Sequence, residues 1–276
     1  MSIRNYRSNS ILLIWFVLFL CPFSGWTQES VREELQPLVE EIQNILQQNE
    51  NSASSDHAVS PAIICIGGCP GVGKSTIAKL LQKQLTDHNI VSIIVSLDHY
   101  GLSQKERKQF TSELDPRRIQ WNKLHNNLSS IQKGETSITK PTIDQITKEM
   151  GEETFDLTHV DCILFEGCYA LGDFFPMDFL QYADVAIYLE TSLENIYDWK
   201  WQRELKKPVP RTSQAFFKHM MAILEDFAFH VYPTRKNADY IVVIDFFHHY
   251  AVTRNEKVKT NPTPDFNPLR IETLAY

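Results

Sequence analysis

Short apolar runs alternate with stretches of helical spacing along most of the chain. Each run has the length of a buried strand, and together they are Ala62–Ile66, Ile90–Leu97, Val160–Phe165, Val185–Leu189 and Tyr240–Ile244. Helices are predicted between them, over Lys74–Leu85, Asp115–Ile131, Leu193–Leu205 and Phe216–Tyr232. Strands that alternate with helices predict an α/β fold in which a parallel sheet carries helices on both faces.

The segments around this core follow other patterns. Glu29–Leu46 has apolar residues at helical spacing and predicts an amphipathic helix, which could kink or restart at Pro37. Gln47–Ser60 is polar and rich in small residues, so we expect a linker there. Ser137–Ile146 alternates weakly and indicates a short hairpin or the edge of a lid. The expected divisions are residues 1–26, a helix and linker at 27–60, a main domain at 61–250 and a tail at 251–276.

A glycine-rich turn follows the first strand and fits the phosphate-loop pattern G-x-x-x-x-G-K-[ST]. Glycines let the backbone approach a phosphate closely, and the N–H groups at the start of the next helix form an anion site. We therefore expect a P-loop NTPase fold with an ATP site, where Lys74 reaches the outer phosphates and Ser75 ligates Mg²⁺. The expected nucleotide-binding residues are Gly68, Cys69, Pro70, Gly71, Val72, Gly73, Lys74, Ser75 and Thr76.

Two acidic residues stand at the ends of predicted strands. Asp98 follows the second strand and Glu166 follows the third, at the sheet edge where open α/β sheets bind ligands. Asp98 could accept a proton from a substrate hydroxyl or orient a metal, and a turn or helix cap is the structural alternative. Glu166 has the Walker B arrangement and, with Ser75, would serve Mg²⁺.

The overall charge limits the kind of ligand the chain can bind. Its 276 residues contain 27 Lys and Arg against 34 Asp and Glu, a formal net charge of -7. This balance argues against a nucleic-acid binder held by bulk electrostatics. The cysteines show no metal-binding spacing and indicate reduced thiols, with a redox switch between Cys69 and Cys168 as the alternative. They are Cys21, Cys65, Cys69, Cys162 and Cys168.

Positive charge is concentrated in a few segments. Ser103–Gln109 is basic, and residues 206–213 form a basic, proline-broken segment that could close as a lid over phosphates. Both could also be ordinary solvated surface. The acceptor should itself be anionic, such as a sugar phosphate, if several basic side chains converge near Asp98. The candidates are Arg107, Lys108, Arg117, Arg118, Arg203 and Arg211.

The first 26 residues do not fit the α/β pattern. Arg4 and Arg7 precede the apolar run Ile11–Cys21, a pattern typical of a secretory signal or a short membrane anchor. The run is shorter than the ~20 residues of a comfortable spanning helix. Three explanations remain open: export into a compartment that contains ATP, a membrane tether, or a gene start placed too far upstream. We expect a cytoplasmic main domain, with an anchored or exported protein as the alternative.

Several segments together resemble the phosphoribulokinase/uridine kinase family of P-loop kinases, with phosphoribulokinase closest in motifs. The resemblance runs from about Ala62 to Ile244, and SLDHYGLSQKERK, LDPRRIQWNKL, ILFEGCYAL, YDWKWQREL and FHVYPTRKNADYIV carry it. It implies that Asp98 is the general base, and that Lys74 and Arg203 stabilise the transferring phosphoryl group. Asp98, Tyr100 and Arg107 are the implied substrate residues, and Ser75 and Glu166 the metal residues.

The chain departs from the phosphoribulokinase pattern at four places. Thr142-Ile143-Asp144 stands where those enzymes carry a Y-N-H type segment, and Glu204 replaces the usual Asp of the lid motif. The loop at 206–213 is short, and Val72 occupies the position of the plant enzyme's phosphate-loop cysteine. The acceptor therefore stays open among a sugar phosphate, a nucleoside, pantothenate and glycerate.

These patterns predict an ATP- and Mg²⁺-dependent kinase that phosphorylates a hydroxyl of a small metabolite. A nucleotide-binding regulatory protein without transfer activity is the alternative of another class. Intact Lys74, Ser75, Asp98 and Glu166 argue against it. A GTPase switch is disfavoured because the chain has no N-K-x-D guanine signature. The sequence leaves the oligomeric state open.

Overall fold

The structure is a computed structural model that describes residues 28–52, 60–112, 114–143, 150–173, 176 and 178–256. The predicted signal or anchor at 1–26 and residues 257–276 of the predicted tail lie outside these ranges, whereas residues 251–254 of that tail belong to a strand. Among the residues described, no helix is long and apolar enough to span a bilayer.

The described strands belong to two sheets. They are β1 (Ala62–Gly68), β2 (Ser92–Ser96), β3 (Ser137–Ile143), β4 (Met150–Asp156), β5 (Cys162–Glu166), β6 (Val185–Glu190), β7 (Tyr240–Ile244) and β8 (Tyr250–Arg254). The central sheet has the order β2-β5-β1-β6-β7-β8, and β3 pairs with β4 in a separate hairpin. The strands from β2 to β7 in this order are parallel, and β8 is antiparallel to β7. The predicted parallel α/β sheet is confirmed, and β8 is an additional edge strand.

Helices cover this sheet. They are α1 (Gln28–Ser52), α2 (Lys74–Asp87), α3 (Gln104–Arg107), α4 (Trp121–Gln132), α5 (Leu193–Leu205) and α6 (Ser213–His230). Short 3-10 turns occur at Leu97–Tyr100, Pro116–Arg118, Phe179–Tyr182 and Tyr232–Asn237. α1 and α2 contact each other, and both contact β1. Every residue of β1 is buried, as expected for a central strand whose two faces are both covered.

α1 is longer than the pattern predicted. It continues past Leu46 to Ser52, so the first six residues of the predicted linker are helical, and Pro37 lies inside it. Leu35, Leu38 and Ile42 on its apolar face are fully buried. Burial of this face stabilises the helix enough to accommodate the backbone hydrogen bond that Pro37 cannot make.

The predicted helix from Asp115 to Ile131 is divided. Asp115 caps a single 3-10 turn, because its Oδ1 accepts the N–H of Arg117 at 2.9 Å. Ile119 then forms an isolated antiparallel bridge with Gly101, and α4 begins only at Trp121. The bridge ties this segment to the turn that follows β2.

A hairpin is present where one was predicted, but it extends beyond Ser137–Ile146, and its second strand lies entirely outside the predicted segment. β3 pairs with β4 in the register Ser137↔Asp156 to Ile143↔Met150. β4 has the sequence MGEETFD and is exposed along most of its length. A strand without a buried face has no alternation of apolar and polar residues, so its sequence gives no strand signal.

Candidate active site

The loop between β1 and α2 is shaped to hold an anion. Gly68 and Gly73 have φ angles of 136° and 102°, which side-chain-bearing residues rarely adopt. A Cβ on Gly68 would overlap the carbonyl oxygen of Leu189 in β6. Gly73 is the N-cap of α2 and supplies no side-chain cap, so N–H groups of the first turn remain available to a ligand. These features fit the phosphates of a nucleotide.

Lys74 reaches back over this loop. Its side chain is 8% exposed, and Nζ donates to the carbonyl oxygens of Gly68 at 3.2 Å and Cys69 at 3.0 Å. Nζ also donates to Sγ of Cys168 at 3.5 Å. Burial disfavours the ammonium, but the combined attraction of Cys168, Glu166, Cys69 and Asp98 is larger and raises the pKa of Lys74. The loop therefore holds a charged lysine beside its expected phosphate site.

The two predicted carboxylates lie at neighbouring strand ends. Glu166 is in register with Ser96 of β2 on one side and Ile66 of β1 on the other. Its side chain is buried, whereas Asp98, two residues beyond Ser96, is exposed. Both carboxylates act on the pKa of Lys74. The sheet thus brings the loop lysine, a buried carboxylate and an exposed carboxylate to one edge.

A divalent metal would have few protein ligands here. The described residues contain no group of three or more His, Cys, Asp or Glu side chains that could hold a metal ion. Ser75 is the second residue of α2, and Glu166 is the last residue of β5, which pairs with β1. Such a pair fits Mg²⁺, which keeps several waters and is completed by nucleotide phosphates.

Tyr100 and Arg107, the other predicted substrate residues, have structural partners. The Tyr100 side chain is fully buried and its hydroxyl accepts a hydrogen bond from Nδ2 of Asn127 at 2.8 Å. We therefore correct its assignment from substrate residue to core residue. Arg107 donates from Nε to the carbonyl of Leu102 at 2.5 Å, and its guanidinium packs against Gly101. Burial and the neighbouring Arg118 lower the pKa of Arg107, while Asp98 acts in the opposite direction.

The other arginines that have described contacts are engaged within the protein. Arg117 pairs with Asp115, Arg118 donates to the carbonyl of Ser112 at 2.8 Å, and Arg211 donates to Glu204 at 2.9 Å. Each of these three side chains therefore has a partner other than a ligand.

Helix α5 places a lysine beside the phosphate loop that was not among the predicted site residues. The aliphatic stem of Lys200 in α5 lies against Gly71 of the phosphate loop, and a Cβ on this glycine would come within 2.9 Å of it. Arg203, one turn further along α5, is exposed. Lys200 belongs to the segment YDWKWQREL that carries the family resemblance, and the packing of α5 places its side chain beside the phosphate loop.

A cavity of about 340 Å³ lies next to the turn that carries Asp98. Its walls come from three segments: the chain after this turn, the start of α4 and the end of the hairpin where Ile143 pairs with Met150. The lining residues are Leu102, Ser103, Glu106, Gln120, Lys123, Pro141, Met150, Gly151 and Glu152. A space of this size suits a small metabolite.

The described cysteines are free thiols. Burial raises the pKa of Cys69 to about 12, although Lys74 opposes this shift. The pKa of Cys168 is also raised, chiefly by burial. Thiols in this state are weak nucleophiles, which favours the packing role over the redox switch.

Comparison with known proteins shows the family of the chain. A model of the Phosphoribulokinase / Uridine kinase family matches residues 63–245. The chain belongs to this family. It is therefore a P-loop kinase of small molecules, as the motifs predicted.

Curated relatives and solved structures match over most of the chain. It is 27% identical to a uridine kinase of Ureaplasma urealyticum over 192 residues, 68% of this chain and 90% of the relative. It is 26% identical to uridine-cytidine kinase B of Dictyostelium discoideum over 197 residues, 71% of this chain and 78% of the relative. D-glycerate 3-kinase of Cryptococcus neoformans has a TM-score of 0.61 at 12% identity, covering 80% of this chain and 99% of that one. Phosphoribulokinase of Rhodobacter spheroides has a TM-score of 0.56 at 11% identity, covering 67% and 71%. The two structures support the fold alone.

Proposed function

We propose that this kinase transfers the γ-phosphoryl group of ATP, in the presence of Mg²⁺, to a hydroxyl of a nucleoside. The observation that carries the transfer is the meeting of Lys74, Glu166 and Asp98 at one edge of the sheet, beside the phosphate loop. Phosphoryl transfer depends on positioning and charge stabilisation, and these three groups supply both.

The position of each residue suggests its role in the reaction. Asp98 is exposed at the strand end and would accept the proton of the acceptor hydroxyl. Lys74 would stabilise charge on the transferring group, together with Lys200 and Arg203 of α5. Ser75 and Glu166 would hold Mg²⁺, which neutralises charge on the phosphate oxygens when bound.

An uncharged acceptor is supported by how the arginines are used. Each of Arg107, Arg117, Arg118 and Arg211 has a hydrogen-bond partner within the protein. A phosphate on the acceptor would need such groups as bidentate ligands. The relatives named as uridine kinases point to the same class of acceptor.

A phosphotransfer screen tests this function. The full-length protein, with ATP and Mg²⁺, is given uridine, cytidine, ribulose 5-phosphate, D-glycerate and pantothenate at matched concentrations. We expect transfer to a nucleoside, and loss of that transfer in Lys74→Met. Preference for ribulose 5-phosphate or glycerate would refute the nucleoside assignment, and full activity of Lys74→Met would refute the site.

We also propose that the main domain, predicted at residues 61–250, acts in the cytoplasm, since the reaction consumes ATP. The alternative is attachment or export through residues 1–26, whose apolar run prompted it. Cell fractionation of the full-length protein and of a variant lacking residues 1–26 separates the two. Recovery of only the full-length protein with membranes would establish a tether.

A further inference from the structure

His99 lies directly beside the proposed base and has a buried lysine as its partner. It follows Asp98 in the 3-10 turn after β2. Its Nδ1 is 2.9 Å from Nζ of Lys140, whose side chain is only 2% exposed. This lysine is on β3, so the contact joins the Asp98 turn to the hairpin.

Lys140 is held from the opposite strand as well. It is in register with Glu153 of β4, and its Nζ is 2.9 Å from Oε2 of that residue. Nζ also lies 5.0 Å from the ring centroid of Phe155, within range of a cation–π interaction. Pairing with a carboxylate identifies the lysine as an ammonium, and it cannot swing away without losing all three contacts.

This arrangement fixes the tautomer of His99. An ammonium has hydrogen-bond donors and no acceptor, so Nδ1 of His99 must be the acceptor. The proton of the neutral ring is then on Nε2. Burial and Lys140 lower the pKa of His99, against the opposing effects of Asp98, Glu153 and Glu166. The neutral form of the ring is thereby favoured.

The remaining nitrogen is available to a ligand. No hydrogen bond joins Nε2 of His99 to any of the residues that the structure describes, and the ring is partly exposed. Pro141, next to Lys140, lines the cavity beside this turn. The His99–Lys140 pair thus connects the proposed base to the wall of the cavity.

We propose that His99 binds an uncharged oxygen of the acceptor through its Nε2–H group, and that Lys140 is the positioning residue that fixes this tautomer. The inference rests on the proposed function and deepens it. A single neutral donor matches a hydroxyl or carbonyl oxygen, the groups that a nucleoside presents. It offers no positive charge to a phosphate-bearing acceptor.

Two substitutions of His99 distinguish the role of Nδ1 from the role of Nε2. The amide of His99→Gln extends to the position of Nε2 and keeps a donor there, whereas His99→Asn ends near Nδ1 and keeps only the contact with Lys140. Loss of one neutral hydrogen bond weakens the binding constant of a ligand about fivefold. We expect kcat/KM for uridine to fall about fivefold or more in His99→Asn and about twofold or less in His99→Gln. The KM for ATP should not change, and His159→Gln, on the exposed surface, is the control.

Nitrogen NMR of the full-length protein measures the tautomer directly. The chain has 9 histidines, and the signal missing from His99→Gln identifies His99. We expect a protonated Nε2 and an unprotonated Nδ1. Lys140→Met should give a mixture of tautomers and raise the KM for uridine, while Lys133→Met, also exposed, should change neither. Thermal denaturation of each variant checks that it is folded.

Titration of uridine into the labelled protein tests binding without requiring transfer. We expect the Nε2 signal of His99 to shift while the Nδ1 signal stays nearly constant. A protonated Nδ1, no shift of Nε2, or equal losses of kcat/KM in His99→Asn and His99→Gln would each overturn the inference. If the native protein phosphorylates nothing in the screen, the proposed function fails, and the tautomer and titration still decide the role of His99.

Discussion

Gly68→Ala should destabilise the protein considerably more than Gly73→Ala, although the two glycines belong to the same loop. Both have positive φ, which costs an L-residue about 1–2 kcal/mol. Alanine also restricts the unfolded chain and recovers about 0.4–1 kcal/mol. A Cβ on Gly73 would meet nothing within 4 Å, so about 1 kcal/mol is expected there.

Gly68→Ala carries a second penalty. Its Cβ would overlap the carbonyl oxygen of Leu189, a backbone atom of the neighbouring strand that cannot rotate away. Such overpacking costs about 1–3 kcal/mol, for a total of about 2–4 kcal/mol. Urea unfolding followed by tryptophan fluorescence measures both variants, with similar m-values required for the comparison. A Gly68→Ala variant no less stable than Gly73→Ala would show that β1 and β6 are not packed as described.

The Gly73→Ala variant also tests the phosphate site. Gly73→Ala should fold, yet lose most of the stabilisation that ATP with Mg²⁺ gives the native protein, because the conformation of Gly73 sets the N–H groups at the start of α2. At a ligand concentration of 100 Kd this stabilisation is about 2.7 kcal/mol. Undiminished stabilisation of Gly73→Ala by ATP would contradict the assignment of this loop.

Three further predictions concern Asp98, Glu204 and residues 1–26. Asp98→Asn should lower kcat about 10²-fold with little change in the KM for ATP, as steady-state kinetics would show, and loss of ATP binding instead would make Asp98 a structural residue. The pKa of Glu204 is lowered to about 2, first by its hydrogen bond with Lys207, so its contribution to stability is present above about pH 5 and lost as the pH falls towards 2. Urea unfolding from pH 7 to pH 3 should show the native protein lose its advantage over Glu204→Gln, and a gap independent of pH would contradict the ion pair. Deletion of residues 1–26 should leave the Tm and the affinity for ATP nearly unchanged, and a large loss of stability in calorimetry would show that the apolar run packs into the core.

The sequence was sufficient for the parts of the fold in which one local pattern determines the structure. The buried strands β1, β5 and β7 are continuous apolar runs, and the phosphate loop requires particular residues at fixed spacing. Glu166 could be placed because it ends β5, and Asp98 because it closely follows the apolar run of β2. Their proximity then follows from the parallel register of β2 and β5.

Features that depend on distant partners could not be predicted. Lys140 is a lysine in a weakly alternating segment, and its burial depends on Glu153 and Phe155 of a strand that has no sequence signal. Tyr100 resembled a substrate residue because it lies near Asp98, but the tight turn directs it into the core. In each case tertiary packing, and not local propensity, decides the environment of the side chain.

The contact between α1 and β8 determines when the protein can finish folding during synthesis. The carboxylate of Glu34 in α1 accepts a hydrogen bond from the backbone N–H of Tyr250 at 2.9 Å, and Tyr250 comes 216 positions later in the chain. Oε1 of Glu34 also lies 3.1 Å from Nδ1 of His249. At about 5–20 residues per second, a ribosome needs roughly 10–40 s to make the intervening chain. The apolar face of α1 therefore leaves the ribosome long before its partner strand exists. A nascent chain in this state presents a surface for chaperones, and a stop codon upstream of Tyr250 would leave part of α1 and the edge of β7 uncovered.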